Sequence, residues 1–300
     1  MLPYFSTPLQ EIRHPQIEKA GIRLLIKRED LNHPTVSGNK WWKLKYNLQA
    51  ARSSGATTLL TFGGAYSNHL YATASAGKLC GFQTIGIIRG EPTFPLNSTL
   101  SFLKKNGMDL HWINRGLFRQ KGDPEFLKGL ERQFGHFYLL PEGGTNNLAV
   151  KGVSEFSNML ATLEFDYLFS AVGTGGTLSG LIHGLKGKGH VVGIPVLKNG
   201  EFLFQEIQHW LNAMGSPSLK NWSLLTAYHF GGYGKYNPEL LSFIKQLKEQ
   251  FELPLDQVYT GKMLWALFKQ IEKGFFKRGD TLLALHSGGL QGSLLKGPDP

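Results

Sequence analysis

FDYLFSAVGTGGTLSG, residues 165–180, is the stretch on which the fold turns. An apolar run of β-formers reaches the turn Gly173-Thr174-Gly175-Gly176-Thr177 and then opens a helix. That is the strand, tight turn and helix of a βαβ crossover. The same form recurs on both sides. IRLLIKRED (22–30), TTLLTFGG (57–64), FQTIGIIRG (82–90), MDLHWINRG (108–116), HFYLLPEGG (136–144), HVVGIPVL (190–197) and TLLALHSGG (281–289) all read as strands. Most of them run into glycine, as a strand entering a tight turn does.

Between these runs lie segments with apolar residues three and four apart, which predict helices. They are 39–55, 67–81, 124–135, 153–163, 238–251 and 262–276, with a further short helix around 205–211 inside the polar stretch 198–223. The segment at 67 opens with Ser and Asn, natural N-cap residues. Strands alternating with helices imply parallel sheets joined by crossovers. The class is α/β.

Composition narrows the function classes. Glycine supplies 37 of 300 residues, without any G-X-Y period, and 41% of the chain is hydrophobic, so it is neither collagen-like nor disordered. This length favours two domains. A lone Cys80 makes no internal disulfide, and no CxxC or CxxxxH spacing is present to hold a metal. The N-terminus MLPYFSTPLQEIRHP lacks a basic region followed by an apolar run. The uncharged stretches 55–77 and 167–185 are broken by Gly, Ser, Thr and His. Neither a leader nor a membrane span is expected, and a cytoplasmic protein is the default. The net charge of +10 invites a nucleic-acid reading, but the basic residues are scattered and no RNP, zinc-finger or helix-turn-helix pattern accompanies them. An anionic small ligand accounts for the charge as well.

Four segments offer chemistry. In VSGNKWWKLKYN (36–47), Lys40 stands where a turn gives way to a helix, an unfavourable place for a solvated cation because of the helix dipole. Trp41 and Trp42 follow at once. An aromatic shell would desolvate the ammonium and lower its pKa, as for a Schiff-base lysine; a plain surface lysine is the alternative. In the 172–180 segment, backbone N–H groups at Gly173 to Thr177 can face a phosphate at a helix N-terminus. Leu178 occupies the place of the third glycine of a dinucleotide fingerprint, and the Lys-Ser/Thr ending of a P-loop is missing. A turn built only for close packing is the other reading. FGGAYSNHLYATA (62–74) gathers Ser67, Asn68 and His69 at a helix start, as a site or as a simple cap. FGGYGKY (230–236), DQVYTGKM (256–263) and LHSGGLQG (285–292) each set hydroxyls beside glycines, where α/β sheets bind ligands.

Taken in order, these segments resemble the pyridoxal-phosphate enzymes of the tryptophan-synthase β type. More narrowly, they are similar to the 1-aminocyclopropane-1-carboxylate deaminase / D-cysteine desulfhydrase family. KREDLNHPTVSGNKWWKL, SNH, PEGGTNNLAVKGVSEF, VGTGGT, GYG, VYTGK and HSGG carry the likeness over nearly the whole chain. The resemblance implies two parallel-sheet domains with pyridoxal 5'-phosphate in the cleft between them. Residues 1–45 plus 153–300 would form the larger, phosphate-binding domain and 46–152 the smaller, substrate-side domain, with a homodimer as the expected assembly.

The resemblance also implies roles. Lys40 would join the cofactor covalently, and Lys43, one helical turn on, would reach its phosphate. Gly173, Thr174, Gly175, Gly176 and Thr177 would cradle that phosphate. Asn68 would hold the pyridine hydroxyl and Ser287 the pyridine nitrogen. Ser67 would bind the substrate carboxylate or act as the deaminase nucleophile. Tyr259 would lie by the cofactor, with Tyr233, His69 and Thr260 toward the substrate.

Three departures bear on the reaction. Trp41 and Trp42 replace the family's Thr-Arg, Thr260 replaces a Glu, and Ser287 replaces the Leu of HLGG. The last two place the chain on the desulfhydrase side. A neutral hydroxyl at the pyridine nitrogen makes a weaker electron sink, which favours expulsion of a β-leaving group. The expectation is β-elimination from a small amino acid, D-cysteine first, with aminocyclopropane carboxylate deamination as the alternative. A dehydratase, a racemase, a silent cofactor binder and, remotely, a nucleic-acid binder are the rivals.

Overall fold

The computed structural model describes residues 2–295. Ten strands make two sheets. The larger is built from β1 (Leu9–Glu11), β2 (Arg23–Lys27), β7 (Tyr167–Val172), β8 (His190–Pro195), β9 (Trp222–Leu224) and β10 (Thr281–Leu285), in the order β1-β2-β10-β7-β8-β9. The smaller holds β3 (Thr58–Gly63), β4 (Gln83–Arg89), β5 (Met108–Ile113) and β6 (Tyr138–Leu140), in the order β5-β4-β3-β6. Every pairing is parallel except β1 with β2. Only a short connection, carrying helix α1 (Pro15–Ala20), joins those two strands, too little chain for a parallel crossover.

All eight sequence-predicted strands form. Two edge strands, β1 and β9, were not expected; each has only three residues, too few to show a period. The helices α2 (Asn39–Ser53), α3 (Asn68–Cys80), α6 (Pro124–Phe134), α9 (Leu203–Ala213), α10 (Pro238–Phe251) and α11 (Thr260–Glu272) stand where spacing put them. α7 (Asn147–Leu160) begins six residues before the expected start, because Asn146 caps it by accepting from the Ala149 N–H at 2.9 Å. The short α4 (Ser98–Lys105) and α5 (Arg115–Arg119) were missed, and α8 (Gly176–Leu185) follows the glycine turn. Among the described residues no helix is long and apolar enough to cross a membrane.

Alternation along the strands of the large sheet sorts the core. Leu25, Leu168, Val172, Leu283 and Leu285 face α2, α7 and α8, while Leu24, Ile26, Phe169, Leu282 and Ala284 face α10 and α11. Both faces are covered, as parallel sheets require. The helical layer on the first side is held close by glycines. A Cβ on Gly152 would stand 2.0 Å from the Trp42 carbonyl oxygen, and one on Gly184 2.4 Å from that of Ser154. The limits expected between the two domains, 45/46 and 152/153, fall inside α2 and α7, which pack on each other.

The carboxyl ends of β3, β7 and β10 each run into a glycine turn: Gly63-Gly64, Gly173 to Gly175, and Gly288-Gly289. The second and third of these turns, the start of α3 at Asn68 and the N-terminus of α2 meet at one cleft.

Candidate active site

The cleft encloses ≈ 550 Å³, counting space open to solvent. Lys40, Lys43, Asn68, Gly173, Thr174, Gly175, Thr177, Tyr259 and Ser287 line it. Nine residues drawn from five separate segments of sequence therefore share one wall.

Lys40 is the second residue of α2, and the turn before it is unusual. Gly38 has φ +68°, and a Cβ there would lie 1.9 Å from the Ser287 carbonyl oxygen. Only glycine permits this approach. The same carbonyl accepts from the Asn39 N–H at 3.2 Å, so the lysine turn and the 286–289 turn are stitched together. Asn32 fixes the turn from the other side: its amide oxygen accepts from the Gly38 N–H at 2.8 Å and its amide nitrogen donates to Glu29 at 3.0 Å.

Burial of the Lys40 ammonium pushes its pKa down to about 8. The physical agent differs from the one expected. Trp41 and Trp42 point away from the cleft, donating their indole N–H groups to the Pro3 carbonyl and the Glu29 carboxylate, both at 2.8 Å. Lys45, not Lys40, lies over both indoles, 5.8 Å from each ring centre. Lys40 is enclosed by the cleft itself, where Nζ donates to the Asn39 side chain at 3.3 Å.

Lys43 lies one turn along the same face. Its Nζ donates to the Gly143 carbonyl at 2.8 Å and to Thr145 Oγ1 at 2.9 Å. Thr145 Oγ1 is 2.6 Å from Thr174 Oγ1, which connects the lysine to the 173–177 turn. Burial, and then the charge of Lys40, hold Lys43 well below the usual lysine range. An anion placed here would relieve both penalties. On the opposite side, the Asn39 amide donates to Thr177 Oγ1 at 2.8 Å. The first turn of α8 has no side-chain cap, so its N–H groups are free for a ligand. Gly176 opens that helix beneath the cleft, packed on Thr145.

Asn68 begins α3, its side chain against Gly289 and hydrogen-bonded to Gln291. Ser67 is the N-cap, its Oγ accepting from the Leu70 N–H at 3.2 Å and leaving the hydroxyl proton to donate. Tyr259 is held by burial and by Tyr233 well above the usual phenol range, so it stays protonated. Tyr233 stands at the mouth, 43% exposed, its ring 6.0 Å from that of Tyr259.

Two residues expected at the substrate are not there. Thr260 is fully buried; its Oγ1 donates to Asp256 at 2.6 Å and its own N–H to the same carboxylate at 2.9 Å. Asp256 thereby caps α11, and that use consumes the threonine. His69 sits behind the cleft wall, 2% exposed, where a Cβ on Gly144 would be 2.7 Å from its ring. Neither ring nitrogen has a partner, and burial with the Lys40 and Lys43 charges keeps the imidazole neutral.

Sequence reasoning missed Asn39, Thr145, Gly143 and Gln291. A signal was present, since PEGGTN follows β6 as GTGGT follows β7, but nothing in the sequence says that Thr145 and Thr174 meet.

A family model described as "Pyridoxal-phosphate dependent enzyme" matches residues 1–288. The chain is 31% identical to a putative 1-aminocyclopropane-1-carboxylate deaminase of Pyrococcus furiosus, over 98% of this chain and 92% of that protein. It is 27% identical to a D-cysteine desulfhydrase of Yersinia pestis, over 95% and 91% of the two chains. The crystal structure of an ACC deaminase homologue superposes with a TM-score of 0.84 at 30% identity, covering 97% of this chain and 92% of that one. The chain belongs to the pyridoxal-phosphate dependent enzymes, among relatives named for aminocyclopropane carboxylate deaminase and D-cysteine desulfhydrase.

Proposed function

We propose that this enzyme converts D-cysteine and water to pyruvate, hydrogen sulfide and ammonia. The observation that carries the reading is the meeting, in one cleft, of the desolvated Lys40, the uncapped 173–177 turn and the neutral Ser287 hydroxyl. The cleft fits pyridoxal phosphate. Lys43 Nζ, Thr174, Thr177 and the free N–H groups of α8 would hold its phosphate, Asn68 the ring hydroxyl and Ser287 the ring nitrogen. When bound, the cofactor supplies a sink for the electron pair left as the Cα–H bond breaks.

The protein's own groups divide the remaining work. Ser67 and the start of α3 bind the substrate carboxylate, through the hydroxyl proton and the helix N-terminus. Lys40 Nζ, with its lowered pKa, takes the Cα proton near neutral pH. Tyr259 keeps its phenolic proton and offers it as a hydrogen bond to the departing sulfur, which leaves as hydrosulfide, with Tyr233 closing the mouth. This reading keeps 46–152 as the smaller, substrate-side unit and 1–45 with 153–300 as the larger.

Deamination of 1-aminocyclopropane-1-carboxylate is the second reading, favoured by the names of relatives at 30–31% identity. Against it stands the neutral Ser287 hydroxyl in the cleft, a weak partner for the ring nitrogen that favours expulsion of a β-leaving group. Assays of sulfide from D-cysteine and of keto acid from the cyclopropane substrate decide between them. Keto acid without sulfide would reverse the assignment.

A further inference from the structure

Beside the mouth of the cleft lies a second depression, lined by Arg89, Arg115, Phe118, Arg119, Lys121 and Glu142. Four cations there face one carboxylate, and that carboxylate already pairs with Lys121 at 3.3 Å. Arg89, Arg115 and Arg119 have no acidic partner among the described residues. Arg115 and Arg119 lie four apart on α5 and so share a face. Phe118 is the buried floor, with Arg89 Cζ 5.5 Å and Lys121 Nζ 5.4 Å from its ring centre. Three guanidiniums without an acidic partner, gathered around one depression, repel one another unless an anion sits between them.

The depression neighbours the cleft on the side of the Gly64 turn. Arg89 closes β4, and its Nη2 would stand 3.4 Å from a Cβ on Gly64, in the turn that leads to Ser67 and Asn68. Glu142 immediately precedes Gly143, which lines the cleft. The charges of Arg89 and Glu142 are both felt at the Tyr233 phenol.

We propose that the arginine depression is an anion subsite through which the enzyme, besides D-cysteine, takes amino acids that carry a negatively charged distal group, the α-carboxylate being held separately by the start of α3. The proposal rests on the reading of the cleft as an amino-acid site and goes beyond it in substrate class. The chemical class is an amino acid whose side chain ends in a carboxylate, sulfonate or phosphate, all of which suit the planar forks of arginine.

The test titrates the holoenzyme with matched pairs, in both enantiomers, following the visible absorbance of the cofactor. Serine is paired with O-phosphoserine and with cysteate, and asparagine with aspartate, so that the pairs distinguish the three anions. The expected result is a Kd at least about tenfold lower for one anionic member, shrinking as salt is raised. In Arg115→Gln/Arg119→Gln the ratio of the two Kd values falls to about one. Neutral amino acids binding as tightly as every anionic partner would overturn the subsite alone, as would a preference that survives the double substitution. If no amino acid of either charge alters the cofactor spectrum, the reading of the cleft fails and the subsite fails with it.

Discussion

The indole N–H of Trp42 donates to the carboxylate of Glu29 over 2.8 Å, inside the core and two residues beyond Lys40. Glu29 also accepts from Thr7 at 2.5 Å and Asn32 at 3.0 Å, and Asn32 grips the Gly38 turn. On either side of Glu29 in the chain, Arg28 forks onto Asp30 at 2.9 and 2.8 Å, and Asp30 lies 3.5 Å from His286. The KRED segment is thus a buried charged frame that holds the lysine turn and the serine turn at fixed separation. The tryptophans belong to that frame.

Removing the indole donor leaves a buried carboxylate short of one hydrogen bond, a loss of about 1–3 kcal/mol. Trp42→Phe keeps an aromatic ring against Phe156, so the deficit should appear with little packing change. Denaturant unfolding is expected to show a lower midpoint, and the purified protein should carry less cofactor per chain. Wild-type stability in this variant would mean that Glu29 is satisfied without it.

Gly38→Ala should be more damaging than its size suggests. A methyl group 1.9 Å from the Ser287 carbonyl cannot be accommodated, and φ +68° is strained for alanine. The two turns must separate, so cofactor absorbance should be lost even where far-ultraviolet circular dichroism persists. Gly55→Ala is the control, since it has a similar φ of +74° and nothing within 4 Å of the added carbon. It should cost only backbone strain, about 1 kcal/mol, and retain the colour.

Lys40 gives a pH prediction. With its pKa at about 8 instead of 10.5, roughly one tenth of the amine is neutral at pH 7. In the role proposed for Lys40, cofactor uptake by the apoprotein uses that neutral amine, so its rate should rise with pH and level off above about 8. A rise that continues toward 10 would show the ammonium to be solvated. Lys40→Ala should leave the fold intact, lose the visible band, and lower turnover by about 10²-fold or more.

Much of this site was legible because its parts are punctuated. Apolar runs ending in Gly173 or Gly288 mark strand ends, and in a parallel sheet strand ends gather on one side, so position in sequence became position in space. Three things were not legible. Edge strands such as Leu9–Glu11 are defined by a partner and not by their own pattern. Thr145 reveals itself only through Thr174, which it meets 29 residues away. The direction in which Trp41 and Trp42 point depends on Pro3 and Glu29, and adjacency to Lys40 suggested the opposite side. Each miss is a contact between distant residues that no local period records.

Lys262 has no role assigned by spacing, yet it is fully buried and its Nζ donates to the carbonyls of His229 and Gly232 at 2.8 and 2.9 Å. Those carbonyls belong to the turn that carries Tyr233. Burial pulls the lysine down to about 8. A pKa lower in the folded state than in the unfolded one costs stability below pH 8 and returns it as pH rises toward 10.5. Lys262→Met should therefore flatten the rise in apoprotein stability between those values. Freeing the turn should also raise KM for the amino acid about tenfold, with a smaller effect on kcat. An unchanged KM would separate Tyr233 from substrate binding.

The exchange of Glu for Thr at position 260 seemed to bear on substrate choice through direct contact, and the geometry redirects that argument. The Thr260 hydroxyl donates to Asp256, whose carboxylate also accepts from the N–H groups of Val258 at 2.8 Å and Tyr259 at 2.6 Å. What position 260 governs is the cap of α11, and through it the placement of Tyr259. Thr260→Ser keeps the hydroxyl and should retain kcat/KM on D-cysteine within about threefold. Thr260→Val removes a buried donor to a carboxylate and should cost about 1–3 kcal/mol of stability. Thr260→Glu places a second carboxyl against Asp256, where two negative charges cannot both be held. It should therefore lose stability as pH rises and gain no cyclopropane-opening activity. A Thr260→Glu enzyme that is stable and releases keto acid from 1-aminocyclopropane-1-carboxylate would show that the side chain at 260 can swing into the cleft, and that substrate choice does lie there.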